Sequence, residues 1–250
     1  MTAGSRTKHT RAIVLDHTKL GESDLILTLL CESGEQARAV ARGARRPGGR
    51  FAARVELFSE ADFLLAHGRS LETVAEASLV EPHAGLRGSP ERVTAASAVA
   101  EVARLTCYEE AEDPYLYPIC SRALLACEEA SDQAHLDLVV AAYVMKSLAH
   151  GGWRPELSAC AACGDENPTW FSASSGGVLC ESCARDVAGA EPLAKGELAW
   201  LRALIGLTFD ELLAAEITPV QATELLTRAH VWAATHLECR LRALEFMLDV

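Results

Sequence analysis

The sequence predicts an α+β fold: an N-terminal five-stranded OB-type barrel over residues 1–82, then an α-helical domain over 83–250 with an inserted four-cysteine zinc module at 157–187. Three observations predict it. Short alternating apolar runs bounded by turn residues crowd residues 10–82, Ala- and Leu-rich segments with helix-start signals follow, and two CxxC pairs interrupt the helical part. With 250 residues, half of them apolar, the chain has enough material to bury a substantial core.

The strands are expected at 11–16, 25–31, 36–41, 54–65 and 72–79. Ser33-Gly34 supplies a tight turn between the second and third, and the stretch 45–49, with one Pro and two Gly, reads as a longer loop. Five strands in this length suit an OB-type barrel, with a small sandwich or an SH3-like barrel as alternatives.

After Pro82 the texture changes. Ser89-Pro90-Glu91 and Asp113-Pro114 each place an N-cap residue before a first-turn proline. Leu136, Val139, Val140, Tyr143, Val144 and Leu148 stack one face of a helix that Gly151-Gly152 closes. Two later helices open with capping boxes, Thr208 with Glu211 and Thr218 with Gln221. The last carries an apolar seam of Leu226, Ala229, Ala233, Leu237, Leu241, Leu244 and Leu248.

Cys160, Cys163, Cys180 and Cys183 form C-x2-C-x16-C-x2-C, the spacing in which two turns present four thiolates to one tetrahedral zinc ion. Four thiolates fill the coordination sphere, so the ion is expected to be structural, one per chain, without the open position that catalysis needs. No His-x-Glu element accompanies the cysteines as in a zinc deaminase, and neither CxxC opens the helix of a βαβ unit as in a thioredoxin. Cys31, Cys107, Cys120, Cys127 and Cys239 lie in apolar surroundings, where a free cysteine acts as a small hydrophobe.

The formal net charge is -12, yet it is unevenly spread: residues 1–82 carry 11 basic and 11 acidic side chains, residues 83–250 carry 12 and 24. Within the balanced part, Arg38, Arg42, Arg45, Arg46, Arg50 and Arg54 follow one another with no acidic residue among them, and Lys8, Arg11 and Lys19 extend the cluster. Such a cluster lines a groove that holds phosphates, or else it is a solvated loop. Phe51 is the one aromatic placed to stack on a base or, alternatively, to anchor the loop in the core, since Phe58 and Phe63 fit a buried strand face.

No P-loop, G-x-G-x-x-G, G-x-S-x-G or H-E-x-x-H occurs, and the eight histidines are scattered, so no catalytic constellation emerges and the protein is expected not to be an enzyme. Residues 1–10 hold no apolar export segment and the longest apolar run is 138–145, which leads to the expectation of a cytoplasmic protein with no membrane association.

Gly21-Glu22-Ser23-Asp24, Gly43-Ala44-Arg45-Arg46, Arg50-Phe51, Glu56-Leu57-Phe58, Cys160-Ala161-Ala162-Cys163-Gly164 and Gly176-Gly177-Val178-Leu179-Cys180 occur in that order over nearly the whole chain. Together they resemble the bacterial RecO recombination mediators. The resemblance implies an N-terminal OB domain, a helical domain and a four-cysteine zinc module. It also implies a nucleoid-associated role: binding single- and double-stranded DNA, annealing complementary strands, cooperating with RecR, and helping RecA displace single-stranded DNA-binding protein. The six arginines match the family's basic OB region. The twofold acidic excess after residue 82 departs from the family, whose helical domain often carries more basic residues. A zinc-ribbon interaction scaffold that binds no DNA is the alternative the net charge favours.

Overall fold

The computed structural model describes residues 7–46, 48–68 and 70–249; residues 1–6, Pro47 of the arginine-rich loop, Arg69 and Val250 lie outside the described residues. The chain divides into two compact units, Met1–Glu128 and Glu129–Val250.

In the first unit, β1 (Thr7–Leu20), β2 (Asp24–Cys31), β3 (Gln36–Ala41), β4 (Glu60–Ala66) and β5 (Glu72–Glu81) form a closed barrel in the order β1-β2-β3-β5-β4. Neighbours are antiparallel except β3 and β5, which pair in parallel through Ala39 with Glu72 and Val40 with Thr73. Alternation fills the interior: Leu25, Leu27, Leu29 and Cys31 from β2, Ala37, Ala39 and Ala41 from β3, and Ala61, Phe63 and Leu65 from β4 are buried in one cluster. β1 runs longer than its predicted 11–16 because a bulge between Val14 and Asp16 bends it, so that it pairs with β2 and β4.

The fourth strand begins six residues later than expected. Residues 52–54 form a 3-10 turn, and Phe58 sits at φ +70, a left-handed conformation that cannot continue a strand. Here the chain meets β1 through isolated bonds instead, Phe58 N–H to Val14 O at 2.8 Å and Val14 N–H to Ser59 O at 3.0 Å.

Two helices complete this unit, α1 (Pro90–Thr106) and α2 (Leu116–Glu129). Ser89 caps α1 by accepting the Arg92 N–H, and Asp113 accepts the Tyr115 N–H ahead of α2. By their contacts both helices group with the barrel. Gln36 of β3 donates to the carbonyls of Arg104 and Cys107 at 3.0 and 3.2 Å, tying the end of α1 to the barrel.

The second unit is organised on α3 (Gln133–His150), capped by Asp132, whose carboxylate accepts the His135 N–H at 3.0 Å. The sequence suggested one apolar face, yet α3 is buried on all sides from Leu136 to Met145, because its run of Leu, Val, Ala and Tyr is nearly continuous. The cysteine module follows, with β6 (Trp170–Ser172), β7 (Gly177–Leu179), α4 (Glu181–Ala184) and β8 (Glu191–Pro192), its sheet ordered β7-β6-β8.

Then come α5 (Glu197–Gly206), α6 (Phe209–Leu213), α7 (Pro219–Leu237) and α8 (Arg242–Leu248). Both predicted capping boxes form, with Glu211 N–H on Thr208 Oγ1 at 3.2 Å and Gln221 N–H on Thr218 Oγ1 at 3.3 Å, each reciprocated. The long final seam is broken: α7 ends at Leu237 with Glu238 as its cap at φ +49, and Leu241, just before the separate α8, and Leu244 within it are buried. Arg228 of α7 reaches Glu197 at 2.8 Å and also pairs with Glu191, fastening the module's β8 to the helices of its own unit. None of the described helices is long and apolar enough to cross a membrane.

Candidate nucleic-acid interface and metal centre

Between β3 and β4 the chain leaves the barrel wall as the arginine-rich loop. Ala44, Phe51 and Val55 bury into the barrel core and pin the loop at three points, while Arg42, Arg45 and Arg46 stay exposed. Its base is fastened to the β1–β2 turn. Asp24 accepts the Gly43 N–H at 2.8 Å, Arg45 N–H donates to Ser23 O at 2.9 Å, and the Arg45 guanidinium donates to Gly21 O and Glu22 O at 3.3 and 3.0 Å. The Gly43 amide, then the Ser23 hydroxyl, hold the Asp24 carboxyl below the usual carboxylate range, with Arg42 and Arg46 adding attraction. Lys19 is exposed on the same hairpin, opposite Leu25.

Arg50 and Arg54 are exposed and face a shallow groove of about 250 Å³ along β5, shared with Glu76 and Ser78. Arg50 is steadied by a 2.6 Å bond to Ala75 O and lies 4.4 Å over the Phe51 ring, while Arg54 donates to Arg50 O at 2.8 Å. The remaining basic candidates sit among acids. Arg11 is bound to Asp62 through two hydrogen bonds of 2.9 and 3.2 Å, and Lys8 pairs with Glu35. Arg38 lines a depression together with Glu35, Glu72, Glu109 and Glu110. The concentrated positive field thus comes from Lys19, Arg42, Arg45, Arg46, Arg50 and Arg54.

No phenylalanine of the loop region is free to stack on a base: Phe51 is 4% exposed, Phe58 3% and Phe63 1%. Phe51 is the loop's anchor, so the surface can attract phosphates but has no aromatic platform at the sequence-predicted positions.

Cys160, Cys163, Cys180 and Cys183 converge, with all four sulfurs within 4.8 Å of one another. Zinc–thiolate bonds of about 2.3 Å in a tetrahedron require sulfurs about 3.8 Å apart, and Cys163 and Cys180 stand at 3.7 Å. Two similar turns present them. In the first, Gly164 N–H bonds Cys160 O at 2.8 Å with Gly164 at φ +80; in the second, Cys180 caps α4 and Ala184 N–H bonds its carbonyl at 3.0 Å.

Gly177 brings β7 against Glu156, where a Cβ would lie 2.2 Å from the Glu156 carbonyl oxygen. Backbone hydrogen bonds, that of Cys180 first, bring the Cys160 thiol down to about 6, and the Ser182 hydroxyl at 3.0 Å lowers that of Cys180. Hydrogen bonding with the Cys163 thiol, then with that of Cys180, pushes Cys183 up to about 12. Four converging sulfurs, two of them readily ionised, suit a soft divalent cation. Among the other cysteines, Cys31, Cys107, Cys120 and Cys127 are buried and Cys239 is half-buried.

Comparison with known proteins decides the family. The description "Recombination protein O N terminal" matches residues 5–83, and "Recombination protein O C terminal" matches residues 87–245. The chain belongs to the RecO family of DNA repair proteins. The DNA repair protein RecO of Nocardioides sp. (strain ATCC BAA-499 / JS614) is 35% identical over 248 residues, covering 94% of this chain and 97% of the relative. That of Roseiflexus sp. (strain RS-1) is 34% identical over 248 residues, covering 98% and 86%. That of Bifidobacterium longum (strain DJO10A) is 38% identical over 173 residues, covering 68% and 71%. Two separate segments that mark the RecO resemblance, Gly21-Glu22-Ser23-Asp24 and Gly43-Ala44-Arg45-Arg46, touch each other at the base of the loop. What sequence reading missed is Asp24 itself, the carboxylate 18 positions before Arg42 that holds the loop's shape.

Proposed function

We propose that this RecO-family chain is a non-catalytic recombination mediator that binds single- and double-stranded DNA through the arginine-rich loop and anneals complementary strands. The observation that carries this reading is the exposed set Arg42, Arg45, Arg46, Arg50 and Arg54 on a loop fastened at its base and anchored by Phe51, with Lys19 exposed on the hairpin that fastens it. A fixed array of cations neutralises phosphates with sequence-independent affinity. Neutralisation lets two strands approach, and pairing then runs downhill with no energy source. A divalent zinc held by Cys160, Cys163, Cys180 and Cys183 keeps the second unit's module folded, since zinc binding becomes folding free energy in such a site.

In the same reading the protein works with RecR and assists RecA loading onto DNA coated by single-stranded DNA-binding protein. A groove of about 330 Å³ in the second unit supports docking of an acidic, apolar-tipped protein tail: Pro155, Leu157 and Ile205 line it beside Arg154 and Arg202, which outnumber the one carboxylate there, Glu156. Arg202 is aligned by two bonds to Leu157 O, at 2.9 and 2.6 Å.

The test is annealing of complementary oligonucleotides by the purified protein in low salt, without nucleotide or magnesium. Accelerated annealing is expected. DNA binding without annealing would reduce the role to DNA attachment, and no binding in low salt would favour an interaction scaffold built on the acidic helical part.

A further inference from the structure

A second charged cluster lies inside the first unit, away from the arginine loop. His83, the second residue after β5, is 2% exposed, and both ring nitrogens face carboxylates: Nε2 is 3.2 Å from Glu60 Oε1 and Nδ1 is 3.0 Å from Glu128 Oε2. Glu60 opens β4 and is itself 6% exposed; Glu128 lies at the end of α2. We propose that His83 is an imidazolium at neutral pH and forms a buried clasp between Glu60 and Glu128 that locks the barrel to α2 and lets go as the solution becomes alkaline.

The geometry requires the charge. A neutral imidazole has one N–H, so it can donate to only one of two carboxylates and must turn a lone pair towards the other. The carboxylates are already committed as acceptors. Glu60 Oε2 accepts the Tyr117 hydroxyl at 2.6 Å, Glu60 Oε1 accepts the Ser121 hydroxyl at 2.5 Å, and Glu128 Oε1 accepts the Leu86 N–H at 3.2 Å. Three of the four carboxylate oxygens face another donor and Glu128 Oε2 faces Nδ1 of the ring, so with both glutamates ionised the ring donates from both nitrogens. The buried Glu60 carboxylate, close to the half-buried Glu128, would face a large desolvation cost without a cation between them, which the imidazolium offsets.

The backbone of His83 is held in place as well. His83 occupies the left-handed region at φ +43, which a non-glycine residue adopts at a cost and keeps only where its surroundings hold it. Its own N–H is held by Glu81 Oε1 at 3.2 Å.

Several groups among the described residues face the ring or its partners. From β4 and β5 they are Glu60 and Glu81, and from α2 they are Tyr117, Ser121 and Glu128. On the 3-10 turn that follows His83, Arg87 is turned away onto Leu57 O, Pro82 O and Glu56. Arg11 and Glu32 act on Tyr117 from the barrel side, and Arg92 of α1 acts on Cys127 of α2. Burial lowers the affinity of His83 for its proton, but the bonds to Glu60 and Glu128 outweigh it and the net direction is upward. For Glu60, burial is outweighed by the bonds from His83, Ser121 and Tyr117, and the net direction is downward.

The signs fix the pH window. A histidine raised in the folded state contributes fully below its ordinary value of about 6.5. That contribution falls by about tenfold in the folding constant per pH unit until the folded value is passed. Glu60 contributes above the ordinary value of about 4.5 and loses its contribution as pH falls through its lower folded value. The clasp is therefore tightest between about 4.5 and 6.5 and opens on the alkaline side.

The experiment uses the full chain with 15N-labelled histidine, following long-range proton–nitrogen spectra from pH 6 to 9.5, with His83 assigned by its loss in His83→Gln. Both His83 nitrogens should read as protonated at pH 7.5, and Glu128→Gln should move the titration to lower pH. Wild-type unfolding midpoints should fall between pH 7 and 9 more steeply than those of His83→Gln. One unprotonated ring nitrogen at pH 7.5, or a titration unmoved by Glu128→Gln, overturns the clasp. If His83→Gln does not fold, the wild-type and Glu128→Gln spectra decide alone, with the signal that shifts on the Glu128 substitution giving the assignment.

Discussion

Replacing Phe51 by alanine separates the two roles that a loop aromatic beside arginines can play. Phe51 is buried in the barrel cluster with Ala44, Val55, Phe63 and Leu65, and only 4% of its surface remains exposed. Truncating a buried phenylalanine costs about 3–5 kcal/mol in lost burial and residual cavity. The neighbouring Arg50 over its ring adds about 0.5–1 kcal/mol at an exposed site. Against a total stability of roughly 5–15 kcal/mol, the loss runs from about a quarter to the whole, and for a unit of this size it lowers the melting temperature by roughly 10–20 °C.

The assay is denaturation of wild type, Phe51→Ala and Phe51→Leu, followed by oligonucleotide titration at a temperature where each remains folded. Phe51→Leu should recover most of the stability, and folded Phe51→Leu should bind DNA as wild type does. A Phe51→Ala protein within about 1 kcal/mol of wild type in stability but weak in DNA binding would refute the anchoring argument and return Phe51 to the DNA surface.

The purified chain should contain one zinc, and Cys160→Ser with Cys183→Ser should abolish it by elemental analysis, with the 157–192 region losing protection from hydrogen exchange; full retention of metal would contradict the four-sulfur site. Gly177→Ala should weaken metal retention without touching a ligand, because its Cβ would collide with the Glu156 carbonyl; a chelator competition reads this directly, and unchanged retention would show that the close approach can relax.

Much of the architecture was legible because the signals were local. Alternation set four of the five strands near their observed places, Thr208 and Thr218 marked two helix starts, and the CxxC spacing brought the four sulfurs together. The failures share a different cause. The start of β4 depends on Phe58 adopting a left-handed conformation against β1, and the end of α7 depends on Glu238 doing the same, choices that tertiary packing imposes on residues with no turn propensity.

Charges show the same limit. Read along the chain, the arginines have no acidic neighbours, but folding puts Asp62 on Arg11, Glu35 on Lys8 and four carboxylates in the depression that Arg38 lines. It also makes Asp24 a fastening point for the loop. The Glu60–His83–Glu128 cluster joins residues 23 and 45 positions apart, which no local pattern connects.

The central claim is that the fastened arginine loop is what holds DNA, and its most direct test is the salt dependence of binding. Fluorescent single-stranded oligonucleotides are titrated at several salt concentrations with wild type and with Arg45→Ala/Arg46→Ala, while metal content and thermal stability are checked in parallel. Each phosphate neutralised on a single strand contributes a slope of about 0.7 in log affinity against log salt. The double variant should therefore bind all sequences more weakly, with a slope flatter by roughly one to one and a half. Its stability should hardly change, since both side chains are exposed. Unchanged affinity and slope in a folded double variant would contradict the account and move the DNA site away from this loop.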